Sequence, residues 1–258
     1  MGTALHAEWT KLRTVAGPYW LVATAAVLTA GLSAATVAAV TCADTGCGLD
    51  APRIALTGVQ IGQAVVAVLA VMVVGDEYRT GMIRTTLAAV PSRVAVLAAK
   101  GVVVAGATLA AAVPGVLGAW LAGRLIMPGQ GFTAAHGYAP LSLTDGPTLR
   151  AVAGSVLYLT LVALLSLGLA AAVRDAPTGV GVVLGVLYLA PILAAVVSDP
   201  DWERRLRQIT PSTAGLSVQH TLDVASLPIG PWPGLGVLAL WAAGALLLGG
   251  LLLRFRDA

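Results

Sequence analysis

The chain has 258 residues, of which 58% are hydrophobic and only 10% charged, and its formal net charge is +3. Soluble domains carry about 25% charged residues, so this composition excludes a water-soluble globule. So small a net charge, spread among long apolar runs, gives no basis for a nucleic-acid partner.

The first segment, residues 1–17, places Leu5, Trp9, Leu12 and Ala16 on one helical stripe, with Glu8, Lys11 and Arg13 off it. This pattern predicts an amphipathic helix lying at a membrane surface, with Trp9 at headgroup level. It does not read as a secretory signal, because the following run is longer than a signal's apolar region and no cleavage site follows. Gly17-Pro18 is expected to break this helix and turn the chain into the membrane.

A bilayer core about 30 Å thick needs ~20 mostly apolar residues per spanning helix. Six runs meet that need, over residues 19–40, 57–74, 94–122, 151–173, 179–197 and 233–253. They are continuously apolar rather than alternating, so helices are expected, not strands. The connections are short. The expected architecture is one all-α, polytopic membrane domain over 1–258, with no room for a soluble catalytic domain.

Within the runs, Gly58-x-x-x-Gly62 and Gly181-x-x-x-Gly185 have the spacing that lets helix backbones approach closely. Pro114-Gly115 and Pro191 are expected to bend the third and fifth spans. Gln60 and Gln63 form the clearest polar pair inside a span; they suit contact with a substrate or hydrogen bonding to a neighbouring helix. Lys100, at one end of the third span, is expected to snorkel toward the headgroups.

Cys42 and Cys47 are the only cysteines and share the first loop. A disulfide or two free thiols both fit, and a lone C-x4-C spacing does not suggest a metal site. Loop 123–150 is rich in turn residues, including Asp145-Gly146-Pro147. Loop 198–232 is expected to be structured and extracellular, with a helix starting at Asp199-Pro200 and running through Trp202, Leu206 and Ile209.

Positive charge sets orientation. Lys11, Arg13, Arg79, Arg84, Arg93, Lys100, Arg174, Arg254 and Arg256 flank one side. Arg53, Arg124, Arg150, Arg204, Arg205 and Arg207 flank the other. The richer side is expected to be cytoplasmic, with both termini there and the chain a multi-pass protein of the plasma membrane.

The segment over 75–93 joins the second and third spans on that side. Tyr78, Met82, Ile83, Thr86, Leu87 and Val90 form an apolar helical stripe, and Glu77, Thr80, Gly81 and Arg84 a polar one. Pro91 should end the helix. A short amphipathic helix carrying both charge signs suits docking into a partner's groove.

This segment, with Glu77, Gly81, Arg84, Leu87, Pro91, Arg93 and Lys100, resembles the permease subunits of type-2 ABC exporters. Glu8-Trp9-Thr10-Lys11-Leu12-Arg13-Thr14 is also similar to the lead-in to their first span, as is the six-helix layout with a structured loop before the last helix. The resemblance covers the whole chain in layout and about thirty residues in motif. It implies that 75–93 is a cytoplasmic coupling helix seated in a separate ABC ATPase, contacted or supported by Glu77, Arg79, Thr80, Gly81, Arg84, Thr85 and Leu87. Residues 1–17 would be the interfacial connecting helix beside it. It further implies a second permease subunit, identical or related, and export of a hydrophobic or amphipathic substrate such as a drug, peptide antibiotic or lipid.

The sequence has no G-x-x-x-x-G-K-[ST] loop, so ATP and Mg would be bound by the partner ATPase. No motif for catalysis or a bound metal appears, and the chain is expected to be a transport subunit rather than an enzyme. Two other readings stay open: a secondary transporter driven by an ion gradient, and a non-transporting membrane scaffold or sensor. The span centres are nearly free of ionisable groups, which argues against the first.

Overall fold

The computed structural model describes residues 2–14, 16–43, 47–89, 92–196 and 199–255. Every regular element among them is helical. Helix α1 covers Gly2–Thr14 and α2 Ala16–Ala39, so Gly17 and Pro18 occupy the first turn of α2 instead of a linker. Proline is tolerated there because a first-turn N–H has no intrahelical partner. Then follow α3 Ala51–Ala55, α4 Val59–Arg79, α5 Met82–Ala89 and α6 Arg93–Ile126. The second half has α7 Gly146–Val173, α8 Ala176–Leu184, α9 Ala190–Val196, α10 Pro200–Ile209, α11 Pro211–Leu216 and α12 Pro231–Phe255. Pro91, Arg256 and the side chains of Leu12, Arg13, Ala16 and Leu87 lie outside the described residues.

Six helices among the described residues are long and apolar enough to cross a membrane, so the chain is a multi-pass membrane protein. They begin with α2, α4, α6, α7, α8 and α12. Six crossings put the start of the first span and the end of the sixth on one side, here the near face; the other is the far face.

Local sequence explains where several helices start. Asp50, Asp145 and Asp175 each precede an x-Pro pair and accept a hydrogen bond from the backbone N–H three residues on, at 3.3, 3.1 and 2.9 Å. Each aspartate is an N-cap, and each proline sits in the first turn. Asp145-Gly146-Pro147 is therefore the start of the fourth span and not loop chemistry, and that span begins at Gly146 instead of 151. Asp199 caps α10 in the same way.

The fifth span changes register before Pro191. A π-turn over Gly185–Leu189 separates α8 from α9. A proline ring clashes with the carbonyl four residues earlier, here Leu187, and the wider turn relieves that clash. The α6 helix instead continues through Pro114.

Helices α4, α6 and α7 form the interior, each buried over half or more of its apolar window, whereas α2, α8 and α12 are 17–28% buried. Helix α7 is central, packing on α12, α4, α6 and α8, while α2 lies against α6 and α4. The first glycine pair makes the α2–α4 approach: a Cβ on Gly58 would stand 2.0 Å from the Thr29 carbonyl oxygen, and one on Gly62 2.1 Å from Thr29 Oγ1. Among the described residues nothing lies within 4 Å of a Cβ built on Gly181 or Gly185, so the second pair makes no such contact there.

On the far face the first loop is stitched to its neighbours. Cys42 and Cys47 are joined by a disulfide. The Cys42 N–H donates to the Gln130 carbonyl at 2.8 Å. Asp50, besides capping α3, accepts from Thr221 N at 2.6 Å, Thr221 Oγ1 at 2.7 Å and Leu222 N at 3.1 Å. One short carboxylate thus ties the first loop to the loop before the last span.

Candidate functional site

Charge is concentrated in a buried cluster at the near face. Helix α4 runs beyond its apolar stretch and carries Glu77 in its last turn. Helix α1 brings Glu8 and Lys11 against it, and the near end of α6 supplies Lys100. Lys11 Nζ contacts Glu8 Oε1 at 2.8 Å and Glu77 Oε1 at 2.6 Å. Lys100 Nζ contacts Glu8 Oε2 and Glu77 Oε1, both at 2.8 Å. The four side chains close a ring of alternating sign with no net charge. Lys11 Nζ also donates to Thr86 Oγ1 of α5 at 3.1 Å, so the ring joins α1, α4, α5 and α6.

Glu8, Glu77 and Lys100 are only 3–4% exposed. Burying an unpaired charge costs several kcal/mol, so such residues persist in an apolar bundle only when closely paired. Burial by itself would lower the Lys11 pKa. The hydrogen bonds that Lys11 donates to Glu77 and Glu8, and the charges of both, outweigh it and hold the ammonium above its ordinary value of 10.5.

The ring corrects two expectations. Lys100 does not snorkel; its ammonium is sealed between two carboxylates. Glu8, placed off the apolar stripe of α1, faces the bundle and not solvent. Both signals were present in sequence as Glu8-x-x-Lys11 spacing and as an acid and a base at the near ends of adjacent spans. Nothing local says that the two pairs meet.

Around the ring, Arg79 is exposed and reaches Asp76 at 3.4 Å. The Thr80 hydroxyl donates to the Asp76 carbonyl at 2.7 Å. Gly81 has φ +71°, in the left-handed region that favours glycine, and this turn reverses the chain into α5. Ile83 is buried and anchors α5, while Arg84 and Thr85 are exposed beside it. Of the residues assigned to a partner surface, Arg79, Thr80, Gly81, Arg84 and Thr85 are therefore accessible together. Glu77 lies beneath them, inside the chain.

Two arginines fasten the last span at the same face. Arg174 donates to the Leu252 carbonyl at 2.9 Å, and Arg93 donates to the Leu253 carbonyl. Both cap the carbonyl end of α12, where cations are favoured.

The two glutamines part company. Gln63 is buried and accepts a hydrogen bond from the Tyr158 hydroxyl, closing the α4–α7 seam. Gln60 is exposed and lines a far-face cavity of about 430 Å³ with Asp50, Arg53, His220 and Asp223. Tyr188 lies between them: its hydroxyl donates to the Gln60 carbonyl and also hydrogen-bonds the Gln63 side chain. His220 sits between this cavity and Arg150, which donates to its carbonyl at 2.7 Å. Among the described residues, no three His, Cys, Asp or Glu side chains converge as metal ligands would.

No model of a known protein family matches the chain, and no curated protein matches it.

Proposed function

We propose that this chain is the membrane-spanning permease subunit of an ATP-driven exporter, working with a separate ATPase and a second permease subunit. The observation that carries the reading is the exposed Arg79–Arg84 turn standing directly on the buried four-charge ring. A partner pushing on α5 acts on a rigid assembly, because Lys11 links Thr86 to Glu77 and Lys100 links Glu77 to Glu8. Displacement of α5 is then shared by α1, α4 and α6 and is not absorbed in a loose hairpin. Coupling of this kind needs two packed arrangements of the spans, which nucleotide in the partner stabilises differently.

In this reading the near face is cytoplasmic, in agreement with its excess of Lys and Arg. Helix α1 is then the interfacial connecting helix and α5 the coupling helix, in the plasma membrane. ATP and Mg are handled by the partner, and the cargo is a hydrophobic or amphipathic molecule, such as a drug, peptide antibiotic or lipid.

The test is purification of the full chain from native membranes in mild detergent, with assay of ATP hydrolysis and of a co-purifying ATPase chain. Arg84→Glu, which touches no internal contact of the ring, is expected to lose the ATPase while inserting normally. Retention of the ATPase and of transport in that variant would remove the coupling role.

The ring also gives a second reading some support. Buried carboxylates near a membrane face are what an ion-gradient carrier uses. Transport that continues without ATP and stops with an uncoupler selects that reading. A scaffold, by contrast, would bind its partner without stimulating hydrolysis.

A further inference from the structure

The two halves of the fifth span are held differently. In the near half, α8 packs tightly on α4: a Cβ on Gly75 would stand 2.4 Å from the Ala176 Cβ, and one on Gly179 3.1 Å from Val71 Cγ1. Backbones this close are held by dense packing. Leu187, inside the π-turn, is the last buried residue of the span. Beyond it no described side chain of α9 is buried, and Ile192, Leu193 and Val196 are each more than half exposed. Helix α9 packs chiefly on the π-turn and on α10 rather than on another span.

Among the described residues, one side chain hydrogen-bonds the far half to α4. Tyr188, also in the π-turn, donates to the Gln60 carbonyl and hydrogen-bonds the Gln63 side chain. Gln63 in turn accepts from Tyr158 of α7. The clasp is therefore anchored in the interior, beside the far-face cavity that Gln60 lines.

The backbone is weak at the same place. Pro191 has no N–H, so the Leu187 carbonyl lacks its ordinary donor four residues on, and the π-turn over Gly185–Leu189 widens the spacing around it. Helices bend at such joints. A packed half below, a thinly held half above and a missing backbone bond between them make a hinge, and Tyr188 sits on it.

We propose that the fifth span is hinged at Gly185–Leu189 and latched by Tyr188, so that release of its hydroxyl lets α9 swing away from α4 on the side of the far-face cavity while α8 stays seated. The latch belongs to the single chain and stands apart from the exporter reading, since no ATPase takes part in it.

The test uses the full chain in phosphatidylcholine nanodiscs and double electron–electron resonance between two spin labels. One label sits at Leu125→Cys, on the exposed far end of α6, and the other at Ile192→Cys above the hinge or Val182→Cys below it; all three positions are exposed. The native cysteines are bonded to each other and take no label. Tyr188→Phe keeps the ring and removes the hydroxyl. It is expected to raise the population of a second Leu125–Ile192 distance on the order of tenfold over the parent, the equivalent of the lost hydrogen bonding, and to leave the Leu125–Val182 distance unchanged. An unaltered Leu125–Ile192 distribution in Tyr188→Phe, or an equal change in the Leu125–Val182 pair, overturns the proposal.

Discussion

Lys100 in α6 and Glu8 in α1 stand 92 residues apart in sequence, yet their charged atoms lie 2.8 Å apart in the buried near end of the bundle. Each is held by a second partner of opposite sign, Glu77 for Lys100 and Lys11 for Glu8. The contact converts a surface helix into part of the bundle, and the first prediction concerns its removal.

Lys100→Met leaves two carboxylates sharing one ammonium in a buried site. Breaking a buried ion pair this way costs about 3–5 kcal/mol. Glu8→Gln added to Lys100→Met restores charge balance and should recover part of the loss. Denaturant or SDS titration of the purified variants measures both. A fully additive double variant would show that the two residues do not act together.

A second prediction separates the two glycine pairs. Gly58→Ala drives a methyl group into the Thr29 carbonyl and should cost about 1–3 kcal/mol through overpacking. Gly181→Ala meets open space and should stay within about 0.5 kcal/mol of the parent. Thermal unfolding of the purified chain distinguishes them.

His220 gives the far face a pH dependence. Burial pushes its imidazole below the ordinary 6.5, Arg53 pushes the same way, and Asp50 opposes them. The folded chain thus binds this proton less readily than the unfolded chain. The stability involved is fully present above pH ~6.5 and is lost as pH falls through the lowered folded pKa. The thermal midpoint should fall between pH 7.5 and pH 5, and His220→Gln should shrink that drop. An identical drop in the variant would assign the effect elsewhere.

The disulfide offers a test of sidedness. Cys42 is buried and Cys47 only partly so. In Cys42→Ser, a membrane-impermeant maleimide should label Cys47 on intact cells. Labelling only after permeabilisation would put the far face inside and the Arg79–Arg84 turn beyond reach of any cytoplasmic partner. Loss of this short crosslink should cost about 2 kcal/mol by loop-closure entropy.

The spans were legible because crossing a bilayer imposes length and apolarity residue by residue, and such a constraint is written locally. The structured loop before α12 was legible too, since Asp199-Pro200 is a helix start by its own chemistry. The Asp-x-Pro starts at Asp50, Asp145 and Asp175 carry the same signal; at Asp145 the same residues also suit a turn, and the continuously apolar run begins only at Ala151, five residues inside the helix that starts at Gly146. Lys100 shows where reading stops. At the end of an apolar run, an ammonium that snorkels and one sealed by carboxylates look the same in sequence. The difference lies in whether Glu8 and Glu77 are near.

By itself, then, the sequence determined that the chain enters lipid, how many times it can cross, which ends carry cations, and where helices are capped. Those properties follow from each segment's transfer free energy and from hydrogen bonds reaching three residues. Tertiary structure alone decided that Glu8, Lys11, Glu77 and Lys100 form one neutral ring, that Gln63 is buried while Gln60 is exposed, and that among the described residues the first glycine pair, and not the second, packs closely on a neighbouring helix. Those outcomes rest on distances between helices far apart in sequence, and Coulomb attraction and close packing act only across such distances once the bundle has formed.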